Sequence, residues 1–509
     1  MPLLRIPLPN PGFLIPFSQP QKYASTHPGP ESRIRALTTA ILWFRRDLRL
    51  DDNPALQAAL RAHERLLPVY IHAPDEAAPW QPGAASRWWL HHSLAALQAQ
   101  LRARGVELQL ACGDSLVVLR RLLRASGAEA VYWNRQYEPA AIARDTRIKQ
   151  ALREDGCAVH SFNASLFVEP WDIRTGQGGP YRVFTPYWRN ARAQLQPRPG
   201  APAPARITPG SVNARHDVSS LQLLPRIAWD AGLRESWQPG AAGAAEALEE
   251  FCAGALRGYQ EQRDWPARPG TSRLSPHLHF GEISPPQILW KLEELGRDAG
   301  AAWREAAEPF LRELGWRDFS HHLLYHFPQT PQQNLNPQFD AFPWREPDAA
   351  QWQAWQRGRT GIPIVDAGLR ELWHSGWMHN RVRMLVASFL CKNLRLHWQH
   401  GARWFWDTLV DADLANNTQG WQWTAGSGAD AAPYFRIFNP VTQGERFDPD
   451  GAYVRRWLPE LAGQRFRSIH APWREPALLA RSGYPPPLVD LAASREEALA
   501  AYQAMRSLG

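Results

Sequence analysis

Residues with different chemistries share one predicted helix face between positions 377 and 384. At helical spacing, Trp377, Asn380, Arg383 and Met384 lie three, six and seven residues along the chain from the first of them. A face that carries an indole, an amide, a guanidinium and a thioether makes a poor plain core, because buried polar groups need partners. The segment therefore suits the wall of a binding site, although a helix with a salt-bridged surface fits the spacing equally well.

A second polar patch lies in the sequence VDADLANNTQGWQW. Its candidate site residues are two aspartates, two asparagines and two tryptophans: Asp411, Asp413, Asn416, Asn417, Trp421 and Trp423. Arg383 is a natural partner for one of these carboxylates, because a buried charge needs an opposite charge. Paired aspartates also suit metal binding or acid–base chemistry. No histidine or glutamate accompanies them at ligand spacing, so we expect no metal site.

The sequence GTSRLSP, residues 270–276, places hydroxyl groups ahead of a predicted helix. Hydroxyls and backbone N–H groups in that position can hold an anion. A simple helix-capping segment has the same composition and is the more economical interpretation of this motif taken alone.

A third constellation places a carboxylate, a flat ring and a cation on one helix face. Glu313, Trp316 and Arg317 stand at positions i, i+3 and i+4. This combination suits the recognition of a nucleobase beside a phosphate. An ordinary amphipathic helix shows the same spacing.

The elements that position these residues differ along the chain. Between residues 41 and 165, short apolar runs alternate with helical patterns, which indicates a doubly wound parallel α/β domain. The predicted strands are residues 41–44, 66–71, 106–111 and 130–133, and the predicted helices are 86–104, 114–126 and 139–154. Ser86 is the expected N-cap of the first of these helices and Gly105 its stop. The charged run from Arg45 to Asn53 is typical of a solvated surface loop.

Glycine-rich phosphate motifs are missing from this α/β region. No GxGxxG follows the first strand and no GxxxxGKS/T occurs anywhere in the chain. Both a dinucleotide-dependent dehydrogenase and a P-loop ATPase are therefore disfavoured.

The rest of the chain reads as a connector followed by an all-helical domain. Residues 170–245 are rich in Pro, Gly, Ala and Arg, as expected of a connector. Long helical patterns follow at residues 246–262, 285–295, 302–325, 364–375, 378–399 and 402–409. We therefore predict a Pro-rich disordered leader (1–40), an α/β domain (41–169), a connector (170–245) and a helical domain (246–509).

Composition narrows the class of protein. The chain has 509 residues, a formal net charge of +8 and 25 tryptophans, of which 18 lie beyond residue 200. The modest positive charge only weakly favours nucleic acid as a partner. Four well-separated cysteines with no CxxC suit a reducing cytosol. No apolar run of about 18 residues occurs, so we expect no membrane span and a cytoplasmic protein.

At the level of longer motifs, the chain resembles the photolyase/cryptochrome family. The matching segments run in the family's order from about residue 41 to about residue 461: WFRRDLRLDDNPAL, TSRLSPHLHFGEIS, ELGWRDF, GIPIVDAGLRELWHSGWMHNRVRM, WFWDTLVDADLANN and GWQW with DAAPYFRIFNPVTQG. The resemblance implies an α/β antenna domain and a helical domain that holds folded FAD.

The resemblance also implies the residues of the flavin site. The segment that holds the FAD phosphates would comprise Tyr259, Thr271, Ser272, Arg273, Leu274 and Ser275. Beside the ring, Arg383 and Asp411 would form a salt-bridged pair and Asp413 would face the pyrimidine edge. Asn417 would face N5, with Trp377 and Asn380 nearby; an amide carries no charge and can donate or accept a hydrogen bond there.

The implied substrate is a cyclobutane pyrimidine dimer in DNA, flipped out of the base stack. The pocket that holds the dimer would comprise Glu313, Trp316, Met384 and Trp423, and the phosphate contacts would be Arg263, Arg317, Arg381 and Arg436. Trp421, Trp398 and Trp355 match the three-tryptophan chain that carries electrons from the surface to the flavin. Light-excited FADH⁻ would donate an electron to the dimer and split it, with Glu313 hydrogen-bonded to its edge.

Three other functions share this domain plan. A cryptochrome-type photoreceptor is disfavoured by Asn417, by the intact dimer pocket and by the lack of a long tail after the matching core. A photolyase for the 6-4 photoproduct usually carries paired histidines, whereas Asn380 and Met384 occupy that face here. A flavin-binding DNA module without turnover remains open. The segments SRWWL, LLYHFP and PYRVFTPYW look closest to bacterial class III photolyases.

The resemblance to class III photolyases implies methenyltetrahydrofolate as the antenna chromophore, with 8-hydroxy-deazaflavin as the alternative. Glu138, in the sequence NRQYEP, would approach the pterin; a structural surface glutamate is an equally good interpretation. We expect a monomer whose partner is ultraviolet-damaged DNA.

Overall fold

Five strands form one parallel sheet in the computed structural model of the protein. They are β1 Thr39–Phe44, β2 Arg65–His72, β3 Gln109–Cys112, β4 Ala130–Asn134 and β5 Ala158–Phe162. Their order is β3-β2-β1-β4-β5, and every pairing is parallel. All six residues of the central strand β1 are buried, which explains its continuous apolar run. The predicted doubly wound sheet is confirmed; β5, with exposed positions in its sequence, was not among the predicted strands.

The structure describes residues 37–212, 217–431, 435–465 and 467–507. By its internal contacts the chain divides into Met1–Leu37 and Thr38–Gly509, and the sheet and all the helices belong to the second unit. The predicted leader lies outside the described residues up to position 36, whereas Thr39 and Ala40 belong to β1.

Four helices connect the strands: α1 Pro54–Ala62, α2 Ala84–Arg102, α3 Ser115–Ser126 and α4 Pro139–Glu154. Helix α3 is capped at both ends, since the Asp114 side chain accepts from the Val117 N–H and Gly127 is left-handed at φ 66°. The predicted N-cap Ser86 is wrong. Helix α2 begins two residues earlier, after Gly83, where a Cβ would lie 2.2 Å from the Trp406 carbonyl oxygen. Close backbone approach, rather than side-chain capping, selects the residue there.

The charged loop after β1 is buried, so its interpretation as solvated surface is wrong. Arg45 binds Asp145 through one guanidinium nitrogen, and Arg49, 1% exposed, donates to the carbonyl oxygens of Asp52, Ala164 and Gly281. The loop lies where the strand order reverses, between β1 and β4, a crevice that often binds ligands in such sheets. Here the loop's own side chains occupy it and link the sheet to the helical part of the chain.

Beyond the sheet the described chain is mainly helical. The helices are α5 Phe184–Gln194, α6 Ala231–Ser236, α7 Ala241–Ala253, α8 Tyr259–Gln262, α9 Ser275–His279, α10 Pro285–Ala299, α11 Ala301–His326, α12 Ala349–Gln356, α13 Pro363–Ser375, α14 Asn380–Ser388, α15 Trp398–Thr408, α16 Leu414–Ala425, α17 Pro440–Phe447, α18 Ala452–Trp457, α19 Pro459–Ala462, α20 Pro476–Ser482 and α21 Leu491–Ser507. Within the segment whose composition predicts a connector, α5 buries Phe184, Tyr187 and Trp188 in a core that includes residues of α11.

Two predicted long helices are interrupted. The pattern at residues 246–262 is broken at Gly254, which separates α7 from a short turn and α8. The pattern at residues 378–399 divides into α14, a π-helical turn at Phe389–Asn393 and α15. Arg395 between them is left-handed at φ 54°, so no single helix can pass through it. Among the described helices, none has the length and hydropathy that a bilayer crossing requires.

Candidate active site

A cavity of about 580 Å³ opens in the helical part of the chain and gathers the sequence-predicted residues. Those that line it are Tyr259, Arg263, Thr271, Ser272, Arg273, Leu274, Ser275, Glu313, Trp316, Arg317, Trp377, Asn380, Arg383, Met384, Asp411, Asp413, Asn416, Asn417, Trp421 and Trp423. Arg381, Arg436, Trp398, Trp355 and Glu138 are not among its lining residues. Segments far apart in sequence thus converge on one site.

The N-terminus of α14 supplies one side of this cavity. The prediction that Trp377 shares the helix is wrong, because α14 begins at Asn380 and His379 caps it by accepting from the Arg381 N–H. Trp377 nevertheless lines the cavity, held by a hydrogen bond from its indole N–H to the Ser275 hydroxyl at 3.3 Å. Burial lowers the pKa of His379 to about 4, which keeps the ring nitrogen free to accept.

Arg383 and Asp411 form a salt bridge at the cavity. The guanidinium Nη2 lies 2.8 Å from Asp411 Oδ2, and its Nε donates to the Met378 carbonyl oxygen at 2.7 Å. The Ser275 hydroxyl donates to the same Asp411 oxygen at 2.7 Å. The pair predicted from the sequence therefore forms, and a serine at the start of α9 orients it.

Asp413 caps α16 and is enclosed by two histidines. Its Oδ1 accepts from the backbone and side-chain N–H groups of Asn416, both at 2.9 Å. Its Oδ2 lies 3.3 Å from His321 Nε2 and 3.7 Å from His279 Nδ1. Burial would raise the pKa of Asp413, but the neighbouring imidazoles of His321 and His279 hold it well below its usual range.

His279 and His321 were missed in the sequence analysis. They come from α9 and α11, so no spacing within one segment brings them to Asp413.

We name the group Arg383, Asp411, Asp413 and Asn417 the polar wall of the cavity. Asn417 is oriented by its amide nitrogen, which donates to the Ala402 carbonyl oxygen at 2.9 Å. Its amide oxygen remains as the acceptor for a ligand.

The segment that the sequence predicts as an anion cradle lines the cavity, but the helix after it is short. Helix α9 has only five residues, so its dipole contributes little. The cation of this segment is Arg273, which is left-handed at φ 52°. Its guanidinium lies over the rings of Trp237 and Trp377, at 4.2 and 5.1 Å from their centroids.

A second group, which we name the aromatic wall, consists of Glu313, Trp316, Met384 and Trp423. The Trp316 ring stacks on Phe184, with centroids 3.7 Å apart. Glu313 forms an ion pair with Arg263, and both side chains remain about 30% exposed. The Trp423 indole N–H donates to the Asp430 carbonyl oxygen at 3.2 Å. This wall is more open than the polar wall.

The remaining predicted phosphate-contact arginines have protein partners. Arg317, 12% exposed, donates to the Ser165 carbonyl oxygen at 2.6 Å. Arg381 lies 2.6 Å from Asp264 and over the Phe447 ring. Arg436 lies over the Trp423 ring, 5.9 Å from its centroid. Glu138 is ion-paired with Arg46 and only 13% exposed, so it is not the surface glutamate that the sequence left open.

The proposed electron-transfer tryptophans share one core. Trp421, Trp398 and Trp355 belong to a single buried cluster, and the Trp398 indole donates to Asn334 Oδ1 at 2.9 Å. Trp355 is 0% exposed, so it does not reach the surface, although the resemblance implies a surface residue at that end of the chain. Two half-buried indoles lie further out: Trp352 stacks on Trp355 at 5.2 Å, and Trp344 packs on His397.

Comparison with known proteins matches this architecture. The family model for the FAD binding domain of DNA photolyase matches residues 310–504, and that for DNA photolyase matches residues 40–206. A deoxyribodipyrimidine photo-lyase of Agrobacterium fabrum is 48% identical over 92% of this chain and 98% of its own. Cryptochrome-2 of Arabidopsis thaliana is 40% identical over 90% and 77%.

Among solved structures, a bacterial class III photolyase from Agrobacterium tumefaciens superposes with a TM-score of 0.88 at 47% identity, covering 94% of this chain and 99% of its own. The fold and the site define the class of light-dependent flavoproteins that combine an α/β domain with a helical FAD-binding domain. The chain belongs to the photolyase/cryptochrome family.

The residues at the cavity fit a flavin. Three residues that line the cavity each have a buried polar atom with no hydrogen-bond partner within the described residues: Asp411 Oδ1, His279 Nδ1 and Gln419 Nε2. Buried polar atoms are normally paired, so these three are the groups that a polar ligand would satisfy. Indole faces beside a carboxylate and a guanidinium suit a flat ring system with polar edges.

Proposed function

We propose that the protein is a deoxyribodipyrimidine photo-lyase, which uses light and FAD to split cyclobutane pyrimidine dimers in damaged DNA. One observation carries the proposal: the polar wall and the aromatic wall face one cavity. A cofactor held by the first would therefore lie beside a base stacked on the second. This arrangement suits electron transfer over a short distance and requires no nucleophile or metal.

When bound, reduced FAD supplies the photoexcited electron. The side chains do the rest by binding and orientation. The Arg383–Asp411 pair would limit the sideways movement of the flavin ring, and the Ser275 hydroxyl orients that pair. The amide oxygen of Asn417 would accept a hydrogen bond from a flavin N–H, because its amide nitrogen already donates to the Ala402 carbonyl oxygen. A carboxylate at this position would carry a charge that an anionic ring repels.

The aromatic wall would hold the dimer. Trp316 and Trp423 offer flat faces for the two pyrimidines, a contact that favours a base displaced from its stack. Glu313 hydrogen-bonds the polar edge of the dimer, and its ion pair with Arg263 keeps the carboxylate at the mouth. Arginines at the rim, including Arg381 and Arg436, contribute contacts to the DNA backbone, which should weaken as salt rises.

The test uses the purified holoprotein. Its absorption spectrum should show bound flavin, and blue light should remove a cyclobutane dimer from an ultraviolet-damaged oligonucleotide. A dark incubation is the control. Flavin binding and tight dark binding of the lesion without dimer loss would contradict the enzyme proposal and indicate a non-repairing DNA module. Flavin photochemistry without affinity for the lesion would indicate a cryptochrome-type photoreceptor.

We further propose that the antenna chromophore is methenyltetrahydrofolate, with 8-hydroxy-deazaflavin as the alternative. The similarity to a class III photolyase supports the folate. Extraction of the chromophore, followed by absorption and mass measurement, distinguishes the two. The monomeric state and the cytoplasmic location stay predictions.

A further inference from the structure

Lys392 is a buried cation that the proposed reaction does not use. It lies in the π-helical turn after α14 and is 0% exposed. In the described part of the chain no carboxylate pairs with it. Its ammonium donates to the Ala425 carbonyl oxygen at 2.6 Å and lies 3.2 Å from the centroid of the Phe435 ring. Burial lowers the pKa of Lys392 to about 7, and these two contacts favour its charged form.

The two contacts lie at the two ends of one chain segment. Ala425 is the last residue of α16, where a cation satisfies a free carbonyl and interacts favourably with the helix dipole. Phe435 lies further along the chain and presents the face of its ring to the ammonium. Its other neighbours are aromatic, including the stacked ring of Tyr502 in α21. Lys392 therefore joins the end of α16 to the C-terminal helix.

Between these ends, the chain reaches both indoles of the aromatic wall. We name residues 426–430, together with Phe435 and Arg436, the rim segment. Its Ala429 lines the cavity. The Asp430 carbonyl oxygen accepts from the Trp423 indole, and Ala429 packs against the core cluster that contains Phe184.

Phe184 in turn stacks on Trp316, so the rim segment is linked to both indoles of the aromatic wall. The position of the segment therefore bears on the separation of the two indoles.

We propose that Lys392 is a positioning residue for damaged DNA: by fixing both ends of the rim segment, it holds Trp316 and Trp423 at the separation that a flipped dimer requires. This inference rests on the proposed function. Lys392 touches neither the cavity nor DNA, so it acts only through the rim segment. Its removal should affect lesion binding more than flavin binding or the chemical step.

The test compares Lys392→Met, which keeps the length of the side chain without its charge, with Lys149→Met. Lys149 also lies over an indole, 5.7 Å from the Trp133 centroid, but in the α/β part of the chain. The dark Kd for a dimer-containing oligonucleotide and the KM for its repair should rise about tenfold in K392M, the equivalent of about 1.4 kcal/mol. The kcat at saturating DNA and the flavin content should match those of the unchanged protein, and K149M should change none of these values.

An unchanged Kd in folded K392M would overturn the proposal. A lower kcat with no change in KM would also overturn it. If K392M does not fold, Phe435→Leu replaces it, since that change removes the ring and keeps the bond to Ala425. A smaller rise in Kd is expected there, and an unchanged Kd would again overturn the proposal.

Hydrogen exchange separates this failure from that of the proposed function. Should the unchanged protein not bind damaged DNA at all, backbone exchange at residues 426–430 without DNA still tests the clamp. Faster exchange in K392M than in K149M supports it, and equal exchange overturns it.

Discussion

The two walls of the cavity are built in different ways. The polar wall is made mainly of charged side chains with nearby partners. The side chains of Asp411 and Asp413 are less than 10% exposed, and each has a cation or an N–H donor within hydrogen-bond distance. The aromatic wall is half open, with Trp316 stacked on one ring and Glu313 about 30% exposed. Fixed buried ions suit a cofactor that stays, whereas an open apolar mouth suits a substrate that must enter and leave.

The largest effect should come from breaking the polar wall. Asp411→Ala leaves the Arg383 guanidinium at the cavity without its carboxylate. Removal of one partner of a buried ion pair lowers the free energy of unfolding by about 3–5 kcal/mol. We expect the variant to purify with little or no flavin, which the ratio of flavin to protein absorbance measures. Asp155→Ala is the matched control, because it removes the partner of Arg120 from an exposed pair. Because exposed ion pairs contribute little, that change should leave the flavin content unchanged. Full flavin content in the Asp411 variant would show that the pair does not hold the cofactor.

Acid should destabilise the start of α14, the helix that carries Arg383 of the polar wall, through its N-cap His379. Burial lowers its pKa to about 4, below that of an exposed histidine. Between about pH 6.5 and pH 4 the unfolded chain therefore binds a proton that the folded chain excludes, so stability falls as pH falls through this window. The contribution is at most about 3.5 kcal/mol, at about 1.4 kcal/mol per pKa unit.

His379→Asn keeps an N-cap residue on α14 and removes the titration. The free energy of unfolding, measured by denaturant at pH 7 and pH 5, should fall less in this variant than in the unchanged protein. Parallel pH profiles for the two proteins would rule out His379 as the titrating group.

The aromatic wall should fail in a different assay. Trp316→Ala removes a stacking face worth about 1–3 kcal/mol per base, so the Kd for the lesion should rise without loss of flavin. Trp290→Ala, which removes an indole covered by Arg297 on α10 outside the cavity, is the control and should bind the lesion normally. Unchanged affinity in the Trp316 variant would place this ring outside the dimer pocket.

The sequence predicts the two walls unequally. Helical spacing and the family motifs predicted that residues within one helix, such as Asn380, Arg383 and Met384, line the site. The partner of Arg383 followed from the rule that buried charges are paired, and Asp411 is that partner. His279 and His321 could not be found in this way, because tertiary packing alone brings α9 and α11 to Asp413.

Burial of charged residues was the other limit. The loop from Arg45 to Asn53 looks like a surface loop by composition, and only the carbonyl oxygens that Arg49 meets in the fold explain why it is inside. The helix breaks at Gly254 and Arg395 likewise depend on backbone angles that a hydrophobic pattern does not report.

The smallest effect on either wall is expected from the tryptophans behind them. Trp421→Phe should block light-driven reduction of oxidised FAD, while repair by chemically pre-reduced protein and binding of the lesion stay unchanged. The Trp421 ring packs edge-on against Phe405 and against Gly401, where a Cβ would lie 2.0 Å away, so phenylalanine fits the site without added volume.

The outer end of this route is tested by Trp344→Phe, Trp352→Phe and the double variant. Because Trp355 is fully buried, an electron must reach solvent through a half-buried neighbour of this core. Trp352 stacks on Trp355, and Trp344 packs on His397 beside Trp398. Each single variant should slow photoreduction and the double variant should slow it most, with repair from the reduced state unaffected. Normal photoreduction in the Trp421 variant would instead direct the route to the stacked pair Trp373 and Trp404, of which Trp373 is 60% exposed. The walls would then bind as described, and only the path that supplies the electron would change.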